Sequence, residues 1–219
     1  MWSRRPACYF PQEGNRDGRP TSQNANLSPT DMSLHFVREF LKSPGMVGAI
    51  WPSSPALAGM MIRAARVRSA DFVLEIGPGS GAFTGPILKN LRPEARFLAV
   101  EKCPVLAKSV SKKFPAARIV AGCATELTAH LKDHGNPDSI VSGLPWAAFG
   151  DPLQNAILGE ITSAIAEDGI FATFAYFGPH RLKAGRAFRS KLDHHFREVE
   201  KTPVVLANFP PAFVYFCRR

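Results

Sequence analysis

The stretch Asp71-Phe-Val-Leu-Glu-Ile-Gly-Pro-Gly-Ser-Gly-Ala-Phe-Thr84 decides the fold of this chain. An apolar run ends in an acidic residue, and a glycine-rich turn then leads into a helix-like segment. Glycine lacks a Cβ and readily takes positive φ, so such a turn admits a ligand close to the backbone. The pattern predicts a loop that binds a nucleotide cofactor. Gly77, Gly79 and Ala82 also fit the dinucleotide pattern G-x-G-x-x-G/A, so the loop alone leaves the cofactor open.

After residue 71, strand-like apolar runs alternate with helix-like segments, which predicts a parallel sheet with helices on both faces. The predicted strands are 72–76, 97–100, 118–121, 139–142 and 170–177, and the predicted helices are 82–91, 104–114, 124–133, 151–167 and 181–195. Two further strand-like runs, 204–207 and 212–216, are too close for a crossover helix, so we expect them to pair antiparallel. This plan is that of class I S-adenosylmethionine-dependent methyltransferases, a Rossmann-like α/β fold with a seven-stranded sheet and an antiparallel last strand. It favours S-adenosylmethionine over NAD as the cofactor.

The sequence predicts three parts. Residues 1–27 mix Pro, Gly, Asn, Gln and Arg without periodicity, which is typical of a disordered basic tail. Residues 28–68 hold two helix starts, Ser28-Pro29-Thr30-Asp31 and Ser54-Pro55, and we expect N-terminal amphipathic helices that cap the substrate or lie on a membrane. Residues 69–219 form the methyltransferase domain.

The 219-residue chain carries a net charge of +9, which indicates an anionic partner such as nucleic acid or an acidic membrane surface. Its four cysteines are widely separated, so we expect reduced thiols and a cytoplasmic location. No run approaches the ~20 apolar residues of a membrane span, so we expect membrane contact to be peripheral, at the inner face of the cytoplasmic membrane.

His130 and His134 lack a third ligand and fit a surface helix, so we predict no metal. The sequence predicts no protein partner.

Four motifs follow one another along the chain. They are Val47-Gly-Ala-Ile-Trp-Pro-Ser-Ser54, Glu75-Ile-Gly-Pro-Gly-Ser-Gly81, Ser142-Gly-Leu-Pro145 and Asn208-Phe-Pro-Pro-Ala-Phe-Val214. In this order they resemble those of the bacterial membrane-lipid N-methyltransferases, which act on phosphatidylethanolamine or ornithine lipids. The resemblance implies transfer of one or more methyl groups from S-adenosylmethionine to the primary amino head group of a membrane lipid. It also implies that the N-terminal amphipathic helix lies on the membrane and covers the active site.

Ribosomal RNA adenine dimethylases are related enzymes and share the glycine loop. They usually carry Asn-Leu-Pro-Tyr after the fourth strand, where this chain has Gly143-Leu-Pro-Trp146. Glycine removes the side-chain acceptor that would orient an adenine amino group, and we expect no extra helical domain after the sheet. We therefore do not expect nucleic acid as a partner. An RNA adenine methyltransferase and a non-catalytic S-adenosylmethionine-binding protein remain the alternatives, the second because Cys123 and Phe177 depart from the family pattern.

The predicted cofactor site lies at the strand ends and in the glycine loop. We expect Glu75 to order the amino-acid end of the cofactor and Glu101 to accept both ribose hydroxyls. The family usually places an acid after the glycine that ends the third strand, where this chain has Cys123. The predicted cofactor-binding residues are Glu75, Gly77, Gly79, Ser80, Gly81, Glu101, Cys123 and Ser142.

Methyl transfer from a sulfonium is an in-line displacement, so the protein mainly has to align the reacting atoms and exclude water. Burial beside a cation favours the neutral amine, and no dedicated base is required. We predict a catalytic segment formed by Gly143, Leu144, Pro145 and Trp146, whose carbonyls accept the amine hydrogens. Aromatic faces suit a methylated ammonium and arginine suits a lipid anion, which makes Trp51, Tyr176, Arg181, Asn208 and Phe209 the predicted substrate-binding residues.

Overall fold

The computed structural model describes residues 53–219. The predicted tail, the first amphipathic helix and Trp51 lie outside the described residues. Seven strands form one sheet in the order β3-β2-β1-β4-β5-β7-β6. The strands are β1 (Phe72–Ile76), β2 (Arg96–Glu101), β3 (Arg118–Ala121), β4 (Ser139–Ser142), β5 (Ile170–Tyr176), β6 (Glu198–Lys201) and β7 (Ala212–Arg218). Strands β1 to β5 pair in parallel and β7 runs antiparallel between β5 and β6. The predicted fold class is confirmed.

Six α-helices accompany the sheet within the described part of the chain. They are α1 (Pro55–Ala64), α2 (Thr84–Asn90), α3 (Pro104–Lys113), α4 (Leu127–Leu131), α5 (Asp151–Ala164) and α6 (Lys183–His195). The helix predicted over 124–133 is shorter, because a 3₁₀ turn at Ala124–Glu126 precedes α4.

The predicted strand over 204–207 is wrong. The antiparallel partner of β7 on its outer side is β6, and only Val205 in the predicted stretch bridges to Ala212. Three of the four residues of β6 are exposed, and only Val199 turns partly inward. A charged edge strand of this kind has no apolar run to mark it. Among the described residues, β6 and β3 form the two edges of the sheet.

The core is divided by the sheet into two layers. All five side chains of β1 are buried, and they alternate between the layers because successive strand residues point to opposite faces. Phe72, Leu74 and Ile76 join the layer under α4, α5 and α6, whereas Val73 joins the layer under α1 and α2. Complete burial of an apolar side chain of this size stabilises the fold by about 1.5 to 3 kcal/mol.

Helix α1 is fastened to the loop between β6 and β7. Ser54 caps the helix as predicted, because its Oγ accepts the Leu57 N–H at 3.1 Å. The Asn208 side chain accepts the Ser54 N–H at 2.9 Å and donates to the Pro210 carbonyl at 2.7 Å. Leu57 and Met61 are fully buried against the sheet, so α1 is packed as part of this core.

Candidate functional site

The candidate site lies where three neighbouring strands end. The carboxyl ends of β1, β2 and β4 meet at one edge of the sheet, which is where ligands bind in open parallel sheets. Gly77, Gly122 and Gly143 each follow one of the parallel strands, and each donates its N–H to a carbonyl of the adjacent strand at 2.9 to 3.0 Å. These bonds hold the three loops that follow the strands in fixed positions.

The loop after β1 requires its glycines. Gly77, Gly79 and Gly81 have φ values of 69°, 56° and 82°. A Cβ at Gly77 would lie 2.7 Å from a methyl carbon of Leu144, and one at Gly81 would lie 2.5 Å from the Phe114 ring. A Cβ at Gly79 would meet nothing within 4 Å, so this residue faces open space. The loop therefore offers backbone to a ligand at Gly79.

Glu101, at the end of β2, is directed toward this loop. Its carboxylate accepts the Gly79 N–H at 3.1 Å and the Cys103 N–H at 2.9 Å, and the residue is 7% exposed. A carboxylate has about four acceptor positions, so two bonds leave capacity for a pair of hydroxyl donors. The predicted ribose contact stays a prediction, and the geometry is compatible with it.

Glu75 lies deeper, on the face of β1 toward α2. It is fully buried, its Oε2 accepts from the Thr84 hydroxyl at 2.7 Å, and its Oε1 has no partner among the described residues. Burial raises the pKa of Glu75 from 4.5 to about 8, the Thr84 bond opposes this rise, and the charge of Glu101 adds to it. A buried acceptor without a donor favours a cationic or hydrogen-bond-donating ligand nearby.

The loop after β3 holds Cys123, a predicted cofactor residue, and lies against His130, which was not among the predicted site residues. Cys123 is half-buried, and its sulfur accepts from the Thr125 hydroxyl at 3.0 Å. A Cβ at Gly122 would lie 2.2 Å from Nε2 of His130, a nitrogen that is buried without a partner in the described part of the chain. His130 was expected on a surface helix, but it lies beside the buried Leu127 and Leu131, and that helical spacing is the signal that marks its position.

The predicted catalytic segment closes over the glycine loop. A Cβ at Gly143 would lie 2.7 Å from the Gly77 carbonyl oxygen, which leaves no room for a side chain. The Leu144 and Pro145 carbonyls accept the N–H groups of Trp146 and Ala148 at 3.0 and 2.8 Å. Each carbonyl oxygen has a second lone pair, so both still have one for an amine hydrogen.

Trp146 itself is part of the core. It is 4% exposed, its indole N–H donates to the Thr173 hydroxyl at 2.9 Å, and its ring stacks on Phe188 with centroids 4.9 Å apart. Packing accounts for this position, and a contact between Trp146 and a substrate stays a prediction.

Two of the predicted cofactor residues, Ser142 and Ser80, make hydrogen bonds that hold the loops themselves. The Ser142 hydroxyl accepts the Leu144 N–H at 3.3 Å, and the Ser80 carbonyl accepts from Lys113 at 3.1 Å.

Four of the five predicted substrate residues lie around the end of β5 and the loop before β7. Tyr176 is half-buried and burial raises its pKa, whereas Phe209 is 72% exposed. The Arg181 guanidinium lies over the Phe177 ring, 5.5 Å from its centroid. Asn208 is 4% exposed, and both ends of its amide are used by the bonds to Ser54 and Pro210. The structure therefore brings these residues to one edge but gives Asn208 a structural role.

The sequence of this chain is similar to those of known methyltransferases. No family model matches the chain. It is 28% identical over 188 residues to the ornithine lipid N-methyltransferase of Singulisphaera acidiphila. The aligned region covers 84% of this chain and 94% of that protein. It is 29% identical over 117 residues to the ribosomal RNA small subunit methyltransferase A of Synechococcus sp. strain CC9902, and the match covers 52% of this chain but only 42% of that enzyme. The predicted resemblance and its relation to the RNA enzymes are confirmed.

The solved structures agree in architecture. A TehB-like SAM-dependent methyltransferase from Corynebacterium glutamicum superposes with a TM-score of 0.57 at 19% identity, over 85% of this chain and 98% of that one. This chain has the class I methyltransferase fold. Its relatives in sequence are methyltransferases, which supports methyl transfer from S-adenosylmethionine as its general activity.

The residues present fit the cofactor of a class I methyltransferase. Glu101 would hold the ribose, Gly79 would face the cofactor with its backbone, and the buried Glu75 would order the loop around the amino-acid end of the cofactor. When bound, S-adenosylmethionine supplies a methyl group on a cationic sulfur that is open to displacement by a nucleophile.

Two features are absent from the described part of this methyltransferase. Between residues 53 and 219, no three His, Cys, Asp or Glu side chains converge on a point that a metal ion would occupy. No helix in that range combines the length and the apolar character that crossing a bilayer requires.

Proposed function

We propose that this chain transfers one or more methyl groups from S-adenosylmethionine to the primary amino head group of a membrane lipid, either ornithine lipid or phosphatidylethanolamine. One observation carries the proposal. The similarity to ornithine lipid N-methyltransferase extends over 94% of that protein, whereas the match to the RNA enzyme covers 42% of its length. A shared activity is best supported where the whole catalytic unit aligns.

The loop after β4 supports an amine acceptor. The carbonyls of Leu144 and Pro145 have free lone pairs beside the glycine loop, and they would accept amine hydrogens and direct the nitrogen lone pair. A primary ammonium has a pKa of roughly 10, so the amine has to lose a proton before it reacts. Apolar surroundings and a neighbouring cation both favour the neutral amine.

The end of β5 supports an acceptor that also carries an anion. Arg181 is exposed beside the exposed ring of Phe177, and Tyr176 lies on the strand just before them. A guanidinium binds phosphodiester or carboxylate oxygens well, and both candidate lipids have such a group near the amine. We place the enzyme peripherally at the inner face of the cytoplasmic membrane, where these lipids would be its partners.

RNA adenine methylation is the second candidate, and the matches to ribosomal RNA methyltransferases favour it. At Gly143 the closeness of the Gly77 carbonyl leaves no space for the asparagine that usually orients an adenine in those enzymes. A non-catalytic role in binding S-adenosylmethionine is the third, and it predicts cofactor binding without turnover.

The test is expression in a bacterium that makes phosphatidylethanolamine, with and without a co-expressed ornithine-lipid pathway. Lipid extracts are examined by mass spectrometry for successive additions of a methylene mass, and ribosomal RNA from the same cells is digested to nucleosides and examined for methylated adenine. Methylated lipid that disappears with a Glu101→Ala variant supports the proposal. Methylated adenine with unmodified lipids would favour the RNA candidate, and neither product from a protein that binds S-adenosylmethionine would favour the third.

A further inference from the structure

Exposed apolar side chains gather at one place on this protein. Five large hydrophobic side chains are exposed in the described part of the chain, and four of them lie on two loops. These four are Phe177 at 44%, Leu182 at 65%, Leu206 at 78% and Phe209 at 72% exposure. The loops lie side by side, because the Phe177 N–H donates to the Pro211 carbonyl at 2.8 Å. We call residues 177–183 and 206–209 together the apolar rim.

Basic side chains lie within the apolar rim and beside it. Arg181, Lys183, Arg186 and Lys201 are exposed, and no acidic side chain of the described residues forms an ion pair with any of them. The nearby Arg189 and Lys191 differ, since they pair with Asp193 and Asp151. Burial, and then the charges of Lys201 and Arg181, lower the pKa of His180 in the same cleft. The rim therefore combines exposed hydrocarbon with a positive field.

We propose that the apolar rim is a membrane-docking surface, which inserts its leucine and phenylalanine tips into a bilayer that contains acidic lipids. Apolar tips partition into the interface and the surrounding lysines and arginines are attracted by anionic head groups. The proposal rests on the proposed function for its purpose, because the rim lies at the same edge of the sheet as the glycine loop. Docking there would present lipid head groups to the catalytic segment.

Other occupants fit these observations less well. Nucleic acids bind to aromatic and basic side chains, but two of the four tips are leucines, on which bases do not stack. Residues 1–52 carry six Lys and Arg against four Asp and Glu, so their charge has the same sign as that of the rim. An acidic lipid surface complements both the charge and the apolar character.

The experiment measures co-sedimentation of the full chain with vesicles of phosphatidylglycerol and phosphatidylcholine. In the test variant, Leu182→Ser and Leu206→Ser are combined, and we expect its partition to fall at least about tenfold, since each leucine loses its apolar burial. The matched control is Val105→Ser, which removes a side chain of 68% exposure at the start of α3. Helix α3 follows β2, which is three strand positions or roughly 14 Å from β5 in the sheet, and we expect the partition of this control to be unchanged.

Equal vesicle binding by the double variant and the wild type would overturn the proposal, and so would an equal loss with Val105→Ser. Loss of binding to a ribosomal RNA fragment, with intact vesicle binding, would assign the rim to RNA instead. Circular dichroism and thermal melting establish whether each variant folds. If the double variant does not fold, the test is repeated with the single Leu206→Ser change, which lies in the exposed turn.

The same variants separate this proposal from the proposed function. With a short-chain amino lipid that is monomeric in water, we expect the double variant to methylate as fast as the wild type, because no bilayer has to be bound. With vesicles that contain the long-chain lipid, its rate should fall in parallel with its partition. A wild-type enzyme that methylates neither lipid would refute the proposed function. The vesicle-binding experiment would still test whether the apolar rim is a membrane-docking surface.

Discussion

Glu101 links the glycine loop to the end of β2 through two backbone N–H groups. Glu101→Ala should weaken S-adenosylmethionine binding about 100-fold, because the loop bond and both hydroxyl acceptors are lost together, and hydrogen bonds to charged groups contribute about 1.5 to 3 kcal/mol each. Glu101→Gln, which keeps one acceptor oxygen, should cost about tenfold. Isothermal titration calorimetry measures both, with Glu126→Ala at an exposed acid as the control. Undiminished affinity in Glu101→Ala would show that the ribose is held elsewhere.

Gly143 has to be a glycine because the Gly77 carbonyl oxygen lies close to the position that a Cβ would take. Gly143→Ala places a methyl group 2.7 Å from the Gly77 carbonyl oxygen, so the two loops must separate. We expect a loss of about 1 to 3 kcal/mol in the free energy of unfolding and weaker cofactor binding. Urea unfolding and calorimetry measure these quantities. Gly159→Ala in α5 is the matched control, since its Cβ meets nothing within 4 Å, and it should stabilise the helix by about 1 kcal/mol.

Local pattern was sufficient to predict the residues that lie in the loops after β1 and β2. The glycines and the acids follow from the requirements of a strand, a tight turn and a ligand that approaches the backbone. The environments of Trp146, Asn208 and His130 could not be predicted in this way, because each depends on a partner far away in sequence or on the orientation of a helix. Trp146, for example, donates to Thr173, which is 27 residues later.

At the scale of elements, the bond between Asn208 and the start of α1 joins two segments that are 154 residues apart. Asn208→Ala leaves the Ser54 N–H and the Pro210 carbonyl without these partners in a partly buried place. We expect the free energy of unfolding to fall by about 2 kcal/mol, measured in urea. Asn155→Ala, at an exposed position of α5, is the control and should change little. A wild-type stability in Asn208→Ala, together with a raised KM for the acceptor, would instead support its predicted contact with substrate.

The strands could be predicted where their buried residues form an apolar run in the sequence. The five parallel strands and β7 carry apolar runs, and their predicted and observed bounds differ by at most two residues. Three of the four residues of strand β6 are exposed and charged, and only Val199 turns partly inward, so its pairing is apparent only in the presence of β7.

At the scale of the whole molecule, Glu75 makes stability depend on pH. Its pKa is raised from 4.5 to about 8 in the folded chain, so the folded form binds more protons than the unfolded form between these values. The contribution of Glu75 to stability is therefore intact below about pH 4.5 and is lost as the pH rises toward about 8. The free energy of unfolding should decrease by up to about 1.4 kcal/mol per pH unit in this window.

Glu75→Gln provides the comparison, because glutamine keeps an acceptor for the Thr84 hydroxyl without a titrating group. Its stability, measured by urea unfolding across the window, should be less dependent on pH, and its advantage over the wild type should grow toward the alkaline end. Parallel curves for the two proteins would mean that Glu75 does not titrate in this range.

The exposed charges of β6 bear on how copies of this protein meet one another. An unpaired strand edge presents free N–H and C=O groups to any other strand, and long apolar edges lead to fibrous aggregates. Here the edge is four residues long, and Glu198, Glu200 and Lys201 point into solvent along it. Joining such an edge to another strand would desolvate these charges, so the outermost strand of the sheet opposes association through its edge.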